Sequence, residues 1–546
     1  MNYKKEFERW LMNVDTETKK ELSDITDAKE IEDRFYRHLE FGTGGLRGVI
    51  GAGTNRMNKY IVARATRGLA EYIKKQSSVH KSVVIAYDSR NFSKEFAHLA
   101  SKTLNENGID TYLFDELRPT PELSFAVRHL KATAGIVITA SHNPSKYNGY
   151  KVYWSDGAQV SPNIANGILA EINRLDVFEE TGTEIVGKQT IIGEETDRAY
   201  IAEIYKQSVN PDVCKDDFKL VYTPLHGSGN KLVRRILKQA GFENVLVVKE
   251  QENPDGNFPT VASPNPENKE CFEYAIKLAK ENNVDLIIGT DPDSDRMGIV
   301  VKNEVGEYVA MTGNQVGVML LNYILSSKKP PENGAAISTI VSTRMAEEVT
   351  AYYNIKYFKT LTGFKFIGEK IHEFEVNNDY TFLLGFEESY GYLKGTYCRD
   401  KDAVVASMLT AEMAAYYAQK GLTLYEVMQS LYQKFGGFYE ELVSITLEGA
   451  DGQKRIKSIM KELRENAPET IAEVKVLQVI DYLEETDLPK ADVLYFKLEN
   501  DVHFVIRPSG TEPKVKLYYL AKGADYADAK NKTEAIKPIV QALIAY

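Results

Sequence analysis

The sequence predicts an α/β protein that closes with a smaller domain of α+β character. Short aliphatic or β-branched runs, apolar on both parities, alternate with amphipathic helical stretches over most of the chain. That is the pattern of parallel strands buried on both faces. After about Gly436 it gives way to alternating strands. The length of 546 residues adds a third observation, because at roughly 150 residues per domain it allows three or four domains.

The predicted strands of the α/β part lie at 83–87, 135–139, 220–223, 245–248, 286–289, 337–341 and 382–384. Helical stretches at 94–106, 229–240, 267–281 and 316–326 fall between them. Alternation of this kind implies right-handed βαβ units. Residues 210–217, with Pro211, and 326–334, with Pro330 and Pro331, read as linkers. The tail is expected to form strands at 438–445, 493–498, 503–507 and 514–520, with helices at 452–465 and 527–545.

Hydrophobic residues make up 43% of the chain and charged residues 27%, a globular profile that needs no staples at this length. A net charge of −11 argues against broad binding to nucleic acid or anionic membrane. Cys214, Cys271 and Cys398 are far apart and odd in number, which fits a reducing compartment better than a disulfide framework. The first eight residues lack the apolar core of a secretory signal, and no apolar run approaches the ~18 residues of a membrane span. The expectation is a soluble, cytoplasmic, multidomain protein.

Unusual residues gather where predicted strands end, which is where open α/β sheets bind ligands. After the second strand come Thr139, Ala140, Ser141, His142, Asn143 and Pro144, a tight turn that lifts a serine hydroxyl out of the sheet. Lys151 follows nearby. After the strand at 286–289 come Asp291, Pro292, Asp293, Ser294, Asp295 and Arg296. Three carboxylates so close repel one another unless a cation lies between them, and oxygen donors without His or Cys point to Mg²⁺. Arg296 and Lys302 occupy the places of an EF-hand's Gly and Glu, which rejects that calcium motif. Aspartyl phosphotransferases also place Asp-x-Asp at a strand end, but Asp295 stands where they usually carry Thr or Val.

Arg507, Pro508, Ser509, Gly510, Thr511, Glu512, Pro513 and Lys514 lie between two tail strands. Arginine, two hydroxyls, a glycine and a lysine make a phosphate cradle. Two basic glycine loops follow the same logic, one running from Gly42 through Arg47 to Gly48 and the other holding Thr362, Gly363 and Lys365. Glu387, Glu388 and Ser389 follow the strand at 382–384 and suit a polyol. Arg399, Asp400, Lys401 and Asp402 read as an ion-pair cluster or part of the same pocket. The stretch from Gly182 to Lys188 nearly spells a P-loop, but Gln189 replaces the Mg²⁺-binding hydroxyl. The loop at Gly42 does not spell a dinucleotide fingerprint.

Thr-Ala-Ser-His-Asn-Pro, Asp-Pro-Asp-Ser-Asp-Arg, Gly-Phe-Glu-Glu-Ser and Arg-Pro-Ser-Gly-Thr occur in that order. Together they resemble the α-D-phosphohexomutase superfamily, and within it the bacterial-type phosphoglucomutases. The likeness spans Gly42 to Lys514. It implies three similar α/β domains and a C-terminal α+β domain around a central cleft. The boundaries expected are 1–208 with the phosphoserine loop, 209–326 with the metal loop, 327–436 with the sugar loop and 437–546 with the phosphate loop.

The resemblance implies an isomerase, an intramolecular phosphotransferase of glucose metabolism. Ser141 would be the phosphoserine, with Arg47, Lys151 and His142 beside it in proton transfer. Ser141, Asp291, Asp293 and Asp295 would hold Mg²⁺. Arg296, Glu387 and Ser389 would recognise the sugar, with Thr362, Gly363, Lys365 and Lys401 lining the same pocket. Arg507, Ser509, Gly510, Thr511 and Lys514 would grip the non-transferring phosphate. The partners expected are small sugar phosphates, with glucose 1,6-bisphosphate as activator and intermediate, and neither nucleic acid nor membrane. Many members read Gly-Glu-x-Ser-Gly-His in the sugar loop, whereas Tyr390 and Gly391 take the last two places here. That departure keeps phosphopentomutase and phosphomannomutase as alternatives. A Mg²⁺-dependent phosphatase using Asp291 as nucleophile and a non-enzymatic sugar-phosphate binder are the more distant ones.

Overall fold

Side-chain caps set the chain's first turns. Asn2, Asp15 and Asp27 accept hydrogen bonds from backbone N–H groups that open the helices Tyr3–Asn13, Thr16–Ser23 and Ala28–Phe35. These helices bury Trp10, Leu22 and Phe35 in the first core. The sequence pattern alone did not signal them, because their apolar stripes are narrow. The computed structural model describes residues 2–42, 44–76, 81–179, 185–447, 452–509 and 514–545. It divides into two units, Met1–Val300 with Gly368–Glu373 and Gly391–Ala415, and Val301–Ile367 with Phe374–Tyr390 and Tyr416–Tyr546.

In the first unit, the strands Ser82–Tyr87 and Ala134–Ile138 lie side by side and parallel. The loops that leave them, Asp88 to Arg90 and Thr139 to Pro144, therefore emerge at the same sheet edge. Asp110–Phe114 and Gln189–Ile192 extend the sheet in parallel, while Tyr147–Trp154 and Gly45–Val49 run antiparallel on the other side. A second sheet places Lys219–Thr223 between Asn244–Val247 and Leu286–Thr290, all parallel. Leu286–Thr290 is buried along its length and leads straight into Asp291.

The second unit repeats the device. Gly334–Thr339 lies between Lys356–Thr360 and Thr381–Phe386, parallel to both. Three loops thus leave at one edge, carrying Thr339, Gly363 and Glu387. The tail is a separate antiparallel sheet of six strands, in the order Gly437–Thr446, Lys514–Gly523, Val502–Pro508, Leu494–Leu498, Val474–Asp481 and Thr470–Ile471. The helices Gly452–Glu465 and Tyr526–Ala545 accompany it, and its core includes stacked Phe496 and Phe504. The expected α/β organisation with an α+β tail is what the chain adopts. Among the described residues no helix is long and apolar enough to cross a membrane.

Two expected elements differ. The strand expected at 337–341 stops at Thr339. Ile340 and Val341 extend the apolar run because they are buried from a turn, packed with Leu361, Val505 and Tyr518. The helix expected at 267–281 begins as the 3₁₀ turn Lys269–Phe272 and becomes α-helical only over Glu273–Asn282.

Gly149 shows how tightly the first sheet edge is built. A Cβ there would lie 2.5 Å from the Thr139 carbonyl oxygen and 2.8 Å from that of Leu46, and backbone cannot yield as a side chain can. Gly149→Ala is expected to destabilise the first unit by about 1–3 kcal/mol, read as a lowered calorimetric midpoint of the full chain.

Candidate active site

The turn after Ala134–Ile138 holds Ser141 in a left-handed backbone conformation, φ 53°, which is strained for a residue with a Cβ. Buried polar groups hold it there. The Ser141 N–H donates to Thr139 Oγ1 at 2.7 Å, and the Thr139 hydroxyl donates to Asp88 Oδ2 at 2.6 Å. The Arg90 guanidinium donates to the carbonyls of Ser141 (2.5 Å), Pro144 (3.0 Å) and Tyr147 (3.1 Å), and also to that of Asn143. Its side chain and that of Asp88, 3.4 Å apart, are completely buried. One arginine thus supplies donors to four carbonyls between Ser141 and Tyr147.

The Ser141 hydroxyl donates to Asp291 Oδ2 at 2.7 Å and lies 3.2 Å from His142 Nδ1. Asp291 Oδ1 accepts the N–H groups of Asp295 (3.1 Å) and Arg296 (3.0 Å), folding the acidic loop back on itself. Carboxylate oxygens of Asp291, Asp293 and Asp295 lie within 4.8 Å of one another, and all three residues are buried. Lys151 Nζ donates to Asp293 Oδ2 at 2.9 Å and lies 3.5 Å from Asp295 Oδ2, which Lys401 Nζ approaches to 2.8 Å. The Thr120 hydroxyl donates to Asp293 Oδ2 at 2.9 Å.

A third cation, Arg296, places Nε 3.9 Å from Asp295 Oδ1, yet three cations do not satisfy the hydrogen-bonding capacity of this cluster. Asp293 Oδ1 and Asp295 Oδ1 are buried and accept no hydrogen bond, an arrangement that is costly without a further positive group. Burial, compounded by Asp293 and Asp295, pushes the Asp291 carboxyl well above the ordinary carboxylate range. Burial acts most strongly on Asp293 too, but Lys151, a hydrogen bond with Asp291 and Lys401 together outweigh it and hold that carboxyl below its usual value. Three hard oxygen donors with unsatisfied atoms and no His or Cys among them fit Mg²⁺.

His142 is driven well below its ordinary value by burial and then by Arg296 and Arg47. It is a neutral neighbour of the serine. Arg47 is exposed on Gly45–Val49, opposite Gly149, with Nη1 3.4 Å from Asn143 Oδ1. Arg296 donates to Glu267 Oε1 at 2.5 Å, a partner that sequence reasoning missed.

In the second unit, Gly363 has φ 121° and donates its N–H to buried Glu387 Oε1 at 2.9 Å. Glu388 Oε2 accepts from the hydroxyls of Thr339 (3.1 Å) and Ser342 (3.4 Å). Gly313 lets the backbone of Glu388 approach, since a Cβ there would meet its carbonyl oxygen at 2.2 Å. Tyr518, its hydroxyl pushed above the usual range by burial and then by Glu388, also feels the charge of Arg507. The loops carrying Glu388 and Arg507 are therefore neighbours in this unit. Thr362 and Ser389 are half-buried beside these groups, and Lys365 Nζ sits 4.9 Å from the Phe366 ring centre. The Ser509 N–H donates to the Lys514 carbonyl at 2.8 Å, closing the base of the phosphate loop. Gly510 and Thr511, and the P-loop-like stretch at 182–184, lie outside the described residues.

Sequence reasoning missed Asp88, Arg90, Glu267 and Tyr518. Asp88 and Arg90 had a usable signal, since they directly follow the predicted strand at 83–87. Glu267 and Tyr518 had none, being ordinary residues far along the chain from their partners.

Three family models match the chain. Those described as phosphoglucomutase/phosphomannomutase α/β/α domains I, II and III cover residues 38–178, 198–306 and 312–435. A phosphoglucomutase of Staphylococcus aureus (strain MRSA252) is 37% identical over 97% of this chain and 98% of its own. One from Staphylococcus haemolyticus is 38% identical over 89% of this chain and 91% of its own. A phosphoglucomutase/phosphomannomutase family protein from Burkholderia thailandensis shares the fold, with a TM-score of 0.70 at 20% identity over 92% of this chain and 97% of its own.

Arg90 is the residue on which the serine loop's shape depends. Arg90→Ala strands the loop carbonyls and leaves Asp88 buried without its cation. It is expected to lower kcat by at least about a hundredfold, the scale of a ~1 Å misplacement, while circular dichroism stays native-like. Arg90→Lys, without the planar fork, should recover little.

Proposed function

The chain belongs to the phosphoglucomutase/phosphomannomutase family, and from that premise we propose that it interconverts α-D-glucose 1-phosphate and glucose 6-phosphate through a phosphoserine at Ser141. The observation that carries this reading is the Ser141 hydroxyl set 2.7 Å from Asp291 Oδ2, against a carboxylate cluster with two unsatisfied oxygens. The names of the 37–38% identical relatives support the glucose assignment.

Ser141, Asp291, Asp293 and Asp295 would hold Mg²⁺, which when bound neutralises charge on the transferring phosphoryl group. Phosphorylated Ser141 faces the free hydroxyl of the sugar phosphate. The hydroxyl oxygen attacks phosphorus, the P–Oγ bond breaks, and the hydroxyl proton passes to neutral His142, with the Arg47 and Lys151 cations beside the transferring group. The glucose 1,6-bisphosphate so formed turns around and returns its other phosphoryl group to Ser141. Such a transfer depends mainly on positioning and electrostatics, which is the task of Arg90 and Asp88 at the loop and of Lys151 and Lys401 at the acidic cluster.

Glu387 and Ser389, with Thr362, Gly363 and Lys365, would bind sugar hydroxyls, and Arg296 would add to recognition by exchanging its Glu267 partner. Arg507, Ser509, Gly510, Thr511 and Lys514 would grip the phosphate that is not being transferred. We assign the working domains to 1–208, 209–326, 327–436 and 437–546, and the enzyme to the cytoplasm, acting on small sugar phosphates.

Two substitutions test the assignment. Ser141→Ala should keep the fold and lower bisphosphate-dependent turnover by at least about a thousandfold; near-wild-type turnover would remove Ser141 as nucleophile. Arg507→Ala should raise KM for glucose 1-phosphate about tenfold or more, in line with the loss of a charged hydrogen bond, with Mg²⁺ binding unchanged in calorimetry. An unchanged KM with lost metal binding would contradict the phosphate-grip role.

A further inference from the structure

The chain is acidic overall, yet one cavity in the second unit is basic. It measures about 400 Å³ and is lined by Arg344, Lys359, Lys497 and His503, with Tyr482 and Ile480 among its apolar walls. Such a volume suits a small metabolite. Arg344 leaves the turn after Gly334–Thr339, and Lys359 stands on Lys356–Thr360. Lys497 and His503 face each other as a cross-strand pair of the antiparallel sheet.

One carboxylate, Glu347, belongs to the lining and pairs with Lys359 at 2.5 Å. Arg344 reaches Asp501, donating to its carbonyl at 2.9 Å and lying 3.5 Å from Oδ1. Among the described residues Lys497 has no carboxylate partner. Three cations against two carboxylates, Glu347 and Asp501, leave one net positive charge at the cavity, carried by Lys497. His503 reports that field: burial, and then Arg344, Lys497 and Lys359, hold its imidazole down to about 3, and Tyr495 Oη lies 2.8 Å from its Nδ1. An unpaired lysine, a guanidinium and an ammonium around a walled space of this size are the recognition elements of a phosphate group.

We propose that this cavity is a second anion site that binds a phosphorylated small metabolite, with the phosphate on Arg344, Lys359 and Lys497 and the carbon skeleton against Tyr482 and Ile480. It is distinct from the phosphate loop, because His503 lies at the opposite end of Val502–Pro508 from Arg507. It nevertheless sits on the same elements. The turn bearing Arg344 also carries Thr339 and Ser342, which hold Glu388. An anion bound here would therefore act on the geometry of the sugar and phosphate loops.

The test is equilibrium dialysis of the full chain with radiolabelled inorganic phosphate, without Mg²⁺ and in the Arg507→Ala background. About one phosphate per chain is expected to remain bound. Adding Lys497→Glu should weaken that binding at least about tenfold and Lys497→Gln by less, while either change alone leaves turnover without added phosphate near wild type. Absence of bound phosphate in Arg507→Ala would overturn the proposal, and so would binding that Lys497→Glu leaves unchanged. The graded pair guards against misfolding, because a folding defect would lower turnover together with binding.

Discussion

Three carboxylates confined to one buried loop are the constraint around which the first unit is arranged. At an effective dielectric of about 20, two unit charges ~4 Å apart repel by about 4 kcal/mol, so Asp291, Asp293 and Asp295 need compensation from several directions. Lys151 arrives from a strand of the first sheet and Lys401 from a segment more than a hundred residues further on. Thr120 and the loop's own N–H groups complete part of the shell. What they leave unsatisfied is buried carboxylate oxygen, one on Asp293 and one on Asp295. The same constraint orients the serine, because Asp291 accepts its hydroxyl.

The second unit solves a gentler version of the problem. Glu387 and Glu388 are adjacent in sequence but are held by different partners, a backbone N–H at Gly363 and the hydroxyls of Thr339 and Ser342. The Ser141, Asp291 and Glu387 loops each leave a parallel strand at one edge of its own sheet, while the Arg507 loop joins two antiparallel strands of the tail. The fold thus gathers chemistry from segments far apart in sequence without long structureless connections.

Much of this was legible in the sequence. Strand ends followed by serine, aspartate and glycine-rich loops mark the candidate site, and three aspartates at alternate positions form a group that could hold a metal ion. The strand boundaries near Ile340 were blurred because Ile340 and Val341 are apolar for packing rather than for pairing. The partners of recognised residues were beyond reach: Glu267 on Arg296, Tyr518 on Arg507 and Asp295 under Lys401 are tertiary pairings with no local pattern. Arg90 is an intermediate case, since its position after a strand was visible but its four carbonyl acceptors were not.

The central claim is that Ser141 stores and returns a phosphoryl group without losing it to water. Phosphorus-31 NMR of the full chain with Mg²⁺, glucose 1-phosphate and a trace of glucose 1,6-bisphosphate tests it most directly. The account predicts a growing glucose 6-phosphate signal, total sugar phosphate conserved and no inorganic phosphate. Inorganic phosphate accumulating in step with the loss of glucose 1-phosphate would contradict it and identify the site as a phosphatase.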